Sequence, residues 1–542
     1  MKFLQVLFIT NLPILLTGLL LPSLCQANNH DESMDADELV NRVVESYGGI
    51  ERLEAIESIA IEFAGYRIHR HQSRHTEPPY DRVPVRNFFA MDYEQHWAVR
   101  DSVGNYPGGL IFPSRSVIGP DGSFDLDTEQ RTFSKGMSMS SVEGIQSTLR
   151  LLAPPLLARD LHRKRDEVVL IENRTHRGQE YIGLRLGSMG ILVHPETHLI
   201  YATLTRRGDM TTNQELEDWQ IYAEPFEHQG ITFAGRFFEY LPSEQTFTLD
   251  YRLTYLDLDA DIMPLLEIPD DFVEGANPHM GYANDGSLEV RQQSEGVYLA
   301  GDNGTNILYV EFDDYFVAME TGGMAWYAES VYEAMQDRMG NKPLRYVVPT
   351  HYHDDHAVGM RFYADIGATI LTTPEKVGYL LELLAPIDDG ALLDTVKFEF
   401  LAGNQRVFAD ETGELHVLRY ASSPHSEDML VGWLPRMKAT FSADIFIGWG
   451  NTPEIRQGAS YGLRHFINWL EESNGLDESK IDWHLPVHGR PYTRAEVRQM
   501  LDTPKTFVTL PANREQSADD WFEVYGLTDE SISGRRDFLR LP

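Results

Sequence analysis

The sequence predicts a mixed α/β protein with two folded units in series, a mainly antiparallel β domain followed by a layered α/β domain. Three observations carry that expectation. The 542 residues include 42% hydrophobic and 11% aromatic side chains, ample for more than one packed core and too many for a disordered chain. Up to about residue 260, short runs alternate apolar and polar positions, the period-two signature of strands with one buried face. From about Ser287 onward, strand-like and helix-like segments alternate instead.

Residues 1–27 fit a signal peptide. Lys2 supplies the positive end, and Phe3–Leu21 is apolar and uncharged, though broken by Asn11 and Pro13. Cys25 and Ala27 place small residues where cleavage after Ala27 requires them. A retained anchor helix is the alternative, since the stretch is nearly long enough to span a bilayer. Cleavage removes Cys25, the only cysteine, and with it disulfides, thiolate nucleophiles, zinc–thiolate sites and iron–sulfur clusters. Any metal must then be held by His, Asp and Glu. An exported chain without disulfides fits a periplasmic or secreted location, with no stable membrane insertion once the signal is gone. The formal charge of −37, from 46 Lys+Arg against 83 Asp+Glu, speaks against nucleic acid and anionic lipid surfaces, which both need a basic footprint. A small-molecule substrate remains open.

The first domain is placed at 28–280. Asp35–Tyr47 reads as a helix with Leu39, Val40, Val43, Val44 and Tyr47 on one stripe and Gly48-Gly49 as its stop. Ile59, Ile61 and Phe63 then alternate with polar neighbours, and further strands are expected at Val168–Ile171, Tyr181–Leu186, Leu199–Leu204, Trp219–Tyr222 and Phe247–Leu256. Ser147–Leu161 is helical, interrupted at Pro154-Pro155. Pro264, Pro269 and Gly275–Pro278 mark the boundary. In the second domain, 285–510, strands at Gly296–Leu299, Asn306–Phe312 and Tyr315–Glu320 precede a helix over Ala325–Met339. A buried strand at Leu344–Pro349 leads to a helix from about His356, and Thr369–Thr372, Pro374–Leu384 and Val396–Phe400 continue the alternation. Residues 511–542 form a tail with an amphipathic stretch at Asp519–Tyr525.

Chemistry concentrates in Thr350-His351-Tyr352-His353-Asp354-Asp355-His356, which follows an apolar strand and opens a helix. In extended chain, positions i and i+2 point to the same side, so His351 and His353 aim both imidazoles at one point. The turn into the helix swings Asp355 and His356 toward a neighbouring point, so this spacing seeds two adjacent metal sites. A lone histidine in a loop would be solvated; the strand–loop–helix setting argues against that here.

With this motif in hand, the region from about 290 to 500 resembles the metallo-β-lactamase superfamily, which implies a four-layered αββα sandwich. Asn306–Val310 and Ala318-Met319-Glu320-Thr321-Gly322 resemble the opening strands and their acid-Thr-Gly turn, with Glu320 where the family usually has Asp. Ser422–Ser426 resembles the loop carrying a third histidine. Phe441–Asp444 resembles the strand that ends in a bridging aspartate, though Ala443 replaces the commoner Gly. Pro486-Val487-His488-Gly489 matches the last histidine motif. The resemblance implies one site of His351, His353 and His425, a second of Asp355, His356 and His488, and Asp444 bridging them. This ligand set is similar to that of the glyoxalase II and lactonase branches. It implies two divalent metal ions as cofactors; five imidazoles and two carboxylates suit Zn(II), and also Fe or Mn. Two ions about 3.5–4 Å apart make hydroxide available at neutral pH, and Asp355 is the catalytic candidate for orienting it.

The implied function is an exported metal-dependent hydrolase of a small ester, thioester, lactone or lactam. The alternatives are a mononuclear iron oxidoreductase like the persulfide dioxygenases, and an acyl-binding module with a secondary metal site. The first domain resembles lipoprotein-carrier-like half-barrels in its opening helix, the Tyr47-Gly48-Gly49 turn and Ile50–Ile56, which implies an acyl or lipid ligand on its sheet; the equal alternative is a scaffold that packs beside the active-site mouth and shapes it. β-Lactams rank lower, because Arg490 is the only cation near His425 or His488 in sequence to grip a carboxylate. His69, His71 and His75, interleaved with Arg67, Arg70 and Arg74, are expected to be a solvated strand end, and His162–Arg165 a solvated helix end. His416 and His465 are assigned to core or surface, and His484 to a second shell or to the substrate side.

Overall fold

The computed structural model describes residues 34–120, 122–135, 141–275, 288–302, 304–386, 388–448, 457–477, 479–510 and 514–517. The expected signal segment 1–27, the boundary near residue 280 and the stretch 519–525 lie outside the described residues.

The first helix runs Ala36–Ser46, capped by the Asp35 carboxylate, which accepts the Glu38 N–H at 2.8 Å. It buries Leu39, Val40, Val43 and Val44. The strand Ser58–Ile68 pairs antiparallel with both Arg82–Asp92 and Thr246–Asp257 and so lies in the middle of a 14-stranded sheet. Every pairing in that sheet is antiparallel except Val273–Glu274 beside Thr132–Lys135. Between residues 82 and 135 the chain forms five strands that its apolar–polar pattern does not announce. Inward positions there include Asn87, Arg100, Ser102 and Ser114, which break the alternation. The helical stretch divides into Val142–Leu152 and Pro154–Arg163, where the two prolines open a new helix.

One face of this sheet has two environments. Ile59, Ile61, Phe63, Phe89, Met91, Ala98 and Ile118 pack under the helices. Farther along the same strands, that face becomes Arg67, Val85 with Asn87, Arg100 with Ser102, and Ser114, which line a cavity. The helices thus cover one part of the face, and the part they leave carries polar side chains among apolar ones.

The second domain is built of two sheets. Seven strands, from Glu289–Ser294 to Lys397–Phe400, lie in sequence order, antiparallel up to Phe316–Met319 and parallel beyond it. Six more, from Gln405–Ala409 to Tyr492–Thr493, form the facing sheet. Alternation along single strands assigns the layers. Leu308, Val310, Val317 and Met319 meet Val417, Val431, Phe441 and Leu485 between the sheets. Ile307, Tyr309, Phe316 and Ala318 point the other way, against Tyr327, Val331, Tyr363 and Leu380 of the outer helices. The helices Tyr461–Asn474 and Arg494–Asp502 cover the opposite side through Phe466, Leu470, Val497 and Met500. This is the αββα order that the family resemblance implies.

The end of the second domain returns to the first. The Lys505 ammonium donates to both oxygens of Glu129 at 2.6 and 2.7 Å, and Leu510 packs with Ala60, Phe88 and Val117. Among the described residues no helix is long and apolar enough to cross a membrane.

Candidate metal centre

Strand ends at one edge of the sandwich carry the site. His351 and His353 follow the strand Leu344–Val348, and Asp355 and His356 lie in the short helix Asp354–Ala357. His425 sits in the loop between Glu414–Tyr420 and Met429–Leu434, and His488 near the end of Trp483–Gly489. Asp444 occupies an irregularity in the strand Ala439–Gly448, where the register shifts and its φ is +52. Aspartate tolerates that left-handed conformation better than most residues, and the kink turns its carboxylate into the cluster. The seven residues form two groups that share Asp444: His351, His353 and His425 in one, Asp355, His356 and His488 in the other. Within each group the candidate ligand atoms lie within 4.8 Å of one another.

Hydrogen bonding fixes which nitrogen of each ring faces inward. His425 Nδ1 lies 2.8 Å from the Pro107 carbonyl, His488 Nδ1 bonds the Gly304 carbonyl, and His353 Nε2 lies 2.7 Å from the Ser73 carbonyl. Carbonyls only accept, so these ring nitrogens are the protonated ones. His356 Nδ1 donates to Glu320 Oε2 at 2.9 Å. Thr350 gives its hydroxyl proton to the same carboxylate at 2.6 Å, which leaves its oxygen to accept from His351 Nδ1 at 3.2 Å. Five lone pairs therefore point at the centre of the cluster.

Four of them lie beside Asp444, whose Oδ2 is 3.0 Å from His425 Nε2, 3.3 Å from His356 Nε2 and 3.6 Å from His351 Nε2, while Oδ1 lies 3.0 Å from His488 Nε2. Among the described residues the buried His351 Nε2 has no hydrogen-bond partner. Two inward nitrogens also face each other at 3.1 Å (His353 and His425) and two at 3.4 Å (His356 and His488). Opposed lone pairs and an unsatisfied buried nitrogen are costly unless a cation lies between them. Burial, with neighbouring imidazoles adding to it, holds His351 far below its ordinary pKa and His353 down to about 3. At His356 the carboxylates of Asp355, Asp444 and Glu320 overcome burial and raise the imidazole, so the cluster draws positive charge. Asp355 and Asp444 are held low against burial by His356 and its neighbours. The donor set fits divalent cations.

Glu320 braces the centre. Buried and at φ +83, it accepts the N–H groups of Thr321 and Gly322 at 2.8 Å each, besides Thr350 and His356. The first domain supplies the rest of the outer shell, which sequence pattern does not disclose. Ser73 and Pro107 contribute the carbonyls behind His353 and His425, and the Gln72 amide donates to Asp355 Oδ1 at 2.7 Å and Asp354 Oδ1 at 2.5 Å.

Two sequence assignments are corrected here. The His69–His75 segment is not a solvated strand end. His69 stacks on Tyr106, His71 bonds the Tyr379 hydroxyl, His75 meets Glu427 at 2.9 Å, and the segment docks on the second domain. His484 belongs to neither ligand group and does not line the cavity beside them; it is buried and bonded to Thr440 Oγ1 at 2.8 Å. His416 and His465 are half-buried, bonded to Glu414 and Tyr420.

Residues 300–481, a span that covers all but the last of these seven positions, match the model of the metallo-beta-lactamase superfamily. The second domain is a metallo-β-lactamase superfamily domain. No curated protein matches the chain. Solved structures similar to it include the inverting sec-alkylsulfatase Pisa1 from Pseudomonas sp., at 16% identity over 40% of each chain with a TM-score of 0.30. They also include the metallo-beta-lactamase from Pontibacter korlensis, at 21% identity over 40% of this chain and 97% of that one (TM-score 0.29). That from Hirschia baltica is 20% identical over 39% of this chain and 95% of that one (TM-score 0.29). This chain therefore spans well under half of the alkylsulfatase. Around the metallo-β-lactamase motif, Asp355, His425, Asp444 and His488 open into a cavity of about 700 Å³ whose other wall is the part of the first domain's sheet that the helices leave uncovered.

Proposed function

We propose that the protein is an exported, dinuclear metal-dependent hydrolase of a small ester, thioester, lactone or lactam. The observation that supports this most directly is the pair of ligand groups hinged on Asp444, each complete and each with its lone pairs turned inward. His351, His353 and His425 would hold one ion and Asp355, His356 and His488 the other, with Asp444 between them; Zn(II) suits the set, and Fe or Mn would fit as well. Such ions supply Lewis acidity and a hydroxide nucleophile at neutral pH. The chain's own residues set where that chemistry happens. Asp444 offers Oδ2 toward three histidines and Oδ1 toward His488. Asp355, with Oδ1 held by Gln72 and Oδ2 3.4 Å from His356 Nε2, is fixed at the cavity floor, where it can orient an attacking water.

Quantifying metal in purified protein, then screening chromogenic esters, thioesters, lactones and cephalosporins, tests the proposal. Two ions per chain and a hydrolysis lost in His351→Ala are expected. Fewer than one ion per chain, or undiminished hydrolysis in that variant, overturns it; a single iron with oxygen-dependent turnover would favour the dioxygenase-like alternative. We further propose a periplasmic or secreted location after cleavage following Ala27, to be checked by N-terminal sequencing of the exported protein.

A further inference from the structure

We propose that Arg67, Arg100 and Tyr251 form an anion subsite in the first domain, so that the substrate carries a compact oxyanion set apart from the bond that is cleaved. This rests on the hydrolase reading for its substrate, but none of the subsite's residues belongs to either group of candidate metal ligands. All three line the cavity that Asp355, His425, Asp444 and His488 enter from the opposite side.

The chain is strongly acidic, and its arginines commonly meet carboxylates, as Arg74 does Asp81, Arg86 does Glu62 and Arg236 does Asp250. Arg67 and Arg100 do not. Among the described residues neither has a carboxylate at ion-pair distance, and the one partner of Arg67 is His69 Nε2 at 3.5 Å. Glu239 faces Arg67 and Asp125 faces Arg100, both from farther off. The Arg100 guanidinium is exposed and feels Arg67, so two cations share this cavity wall with no described carboxylate at ion-pair distance. The Tyr251 hydroxyl lines the same cavity and feels both guanidiniums. It accepts from the Asn87 amide at 2.7 Å, which leaves its own proton free to donate into the cavity. Two guanidiniums and a hydroxyl donor match a carboxylate, sulfate or phosphate. Arg490 cannot serve instead, since Glu496 holds it at 2.8 Å and it does not line the cavity. His69, Tyr106 and Phe112 form an aromatic shelf along the cavity wall, suited to an apolar linker between the two ends of such a substrate.

The test compares phenyl butyrate with the monophenyl ester of glutaric acid on the full-length, metal-loaded protein, and measures glutarate and inorganic sulfate binding by calorimetry. We expect the acidic ester to be preferred. The kcat/KM ratio of the two esters, which cancels damage common to both, should fall about tenfold or more in Arg67→Gln/Arg100→Gln and by less in Tyr251→Phe, with anion affinity weakened in parallel. The stronger-binding anion tells a planar from a tetrahedral group. An unchanged ratio in both variants overturns the subsite, as does anion binding equal in wild type and variants, which would place the anion at the metals. If neither ester is hydrolysed, the hydrolase reading suffers while calorimetry still decides the subsite.

Discussion

Each imidazole at the centre has one nitrogen committed to an acceptor outside it, and that commitment makes the other a ligand. Glu320 serves two histidines, directly at His356 and through Thr350 at His351. Replacing it by glutamine keeps the size but removes the charge and offers only one accepting oxygen. Glu320→Gln should therefore weaken metal binding about 10–100-fold, measured by chelator competition. Equal affinity would mean that packing alone orients His356. His484 makes a separate, pH-dependent contribution. Burial holds its pKa down to about 3, so the folded state keeps it neutral. Below the ordinary value of about 6.5 the unfolded chain binds a proton that the fold refuses, so stability falls as pH drops from 6.5 toward 3 and levels off beneath. At pH 5 the loss from this one group is about 2 kcal/mol. In His484→Asn, denaturant unfolding at pH 7 and pH 5 should show a correspondingly smaller difference; an identical difference would show that the depressed pKa has no thermodynamic weight.

At the scale of elements, two turns of the first domain reach into the edge of the second. One spans Gln72 and Ser73 and touches Asp355 and His353; the other, Tyr106–Gly109, lies against His425. Gly108 in that turn has φ +87, and a Cβ there would stand 3.2 Å from His425 Cβ and 3.3 Å from its Cα. Gly108→Val is therefore strained in its backbone and crowds the ligand. It should lower metal content toward one ion per chain, with the His351 group emptied first, as read by metal analysis after dialysis. Two retained ions would show that the turn yields instead. These turns also explain what sequence could and could not disclose. The candidate ligands were legible because histidines and acids fall at strand ends in a spacing that has chemical meaning. The carbonyls of Ser73, Pro107 and Gly304 were not, since any residue presents a carbonyl and only the fold says where it points. The strands between 82 and 135 were obscured for a related reason. Polar residues such as Arg100 and Ser102 face the cavity, where an apolar position would have completed the pattern.

Over the whole molecule, the centre belongs to both domains. Its ligands come from the second, while the outer partners of His353, His425 and Asp355 come from the first. Other ties lie beside it. The Arg361 guanidinium donates to the carbonyls of Met210 at 2.8 Å and Thr211 at 2.5 Å, Arg70 pairs with Glu382 at 2.8 Å, and Lys505 pairs with Glu129. An ion bound by the folded pair, and by neither part unfolded, stabilises both at once. Free metal at a thousand times its Kd adds about 4 kcal/mol. Calorimetry of the metal-loaded protein should then show the two domains melting together, and chelation should lower the Tm of that shared transition. The reason is geometric: unfolding the first domain strips three ligands of the groups that hold their tautomer and aim, so the ions leave and the second domain loses their support. Two separate transitions, of which a chelator moves only one, would show that the first domain is a neighbour of the centre rather than part of it.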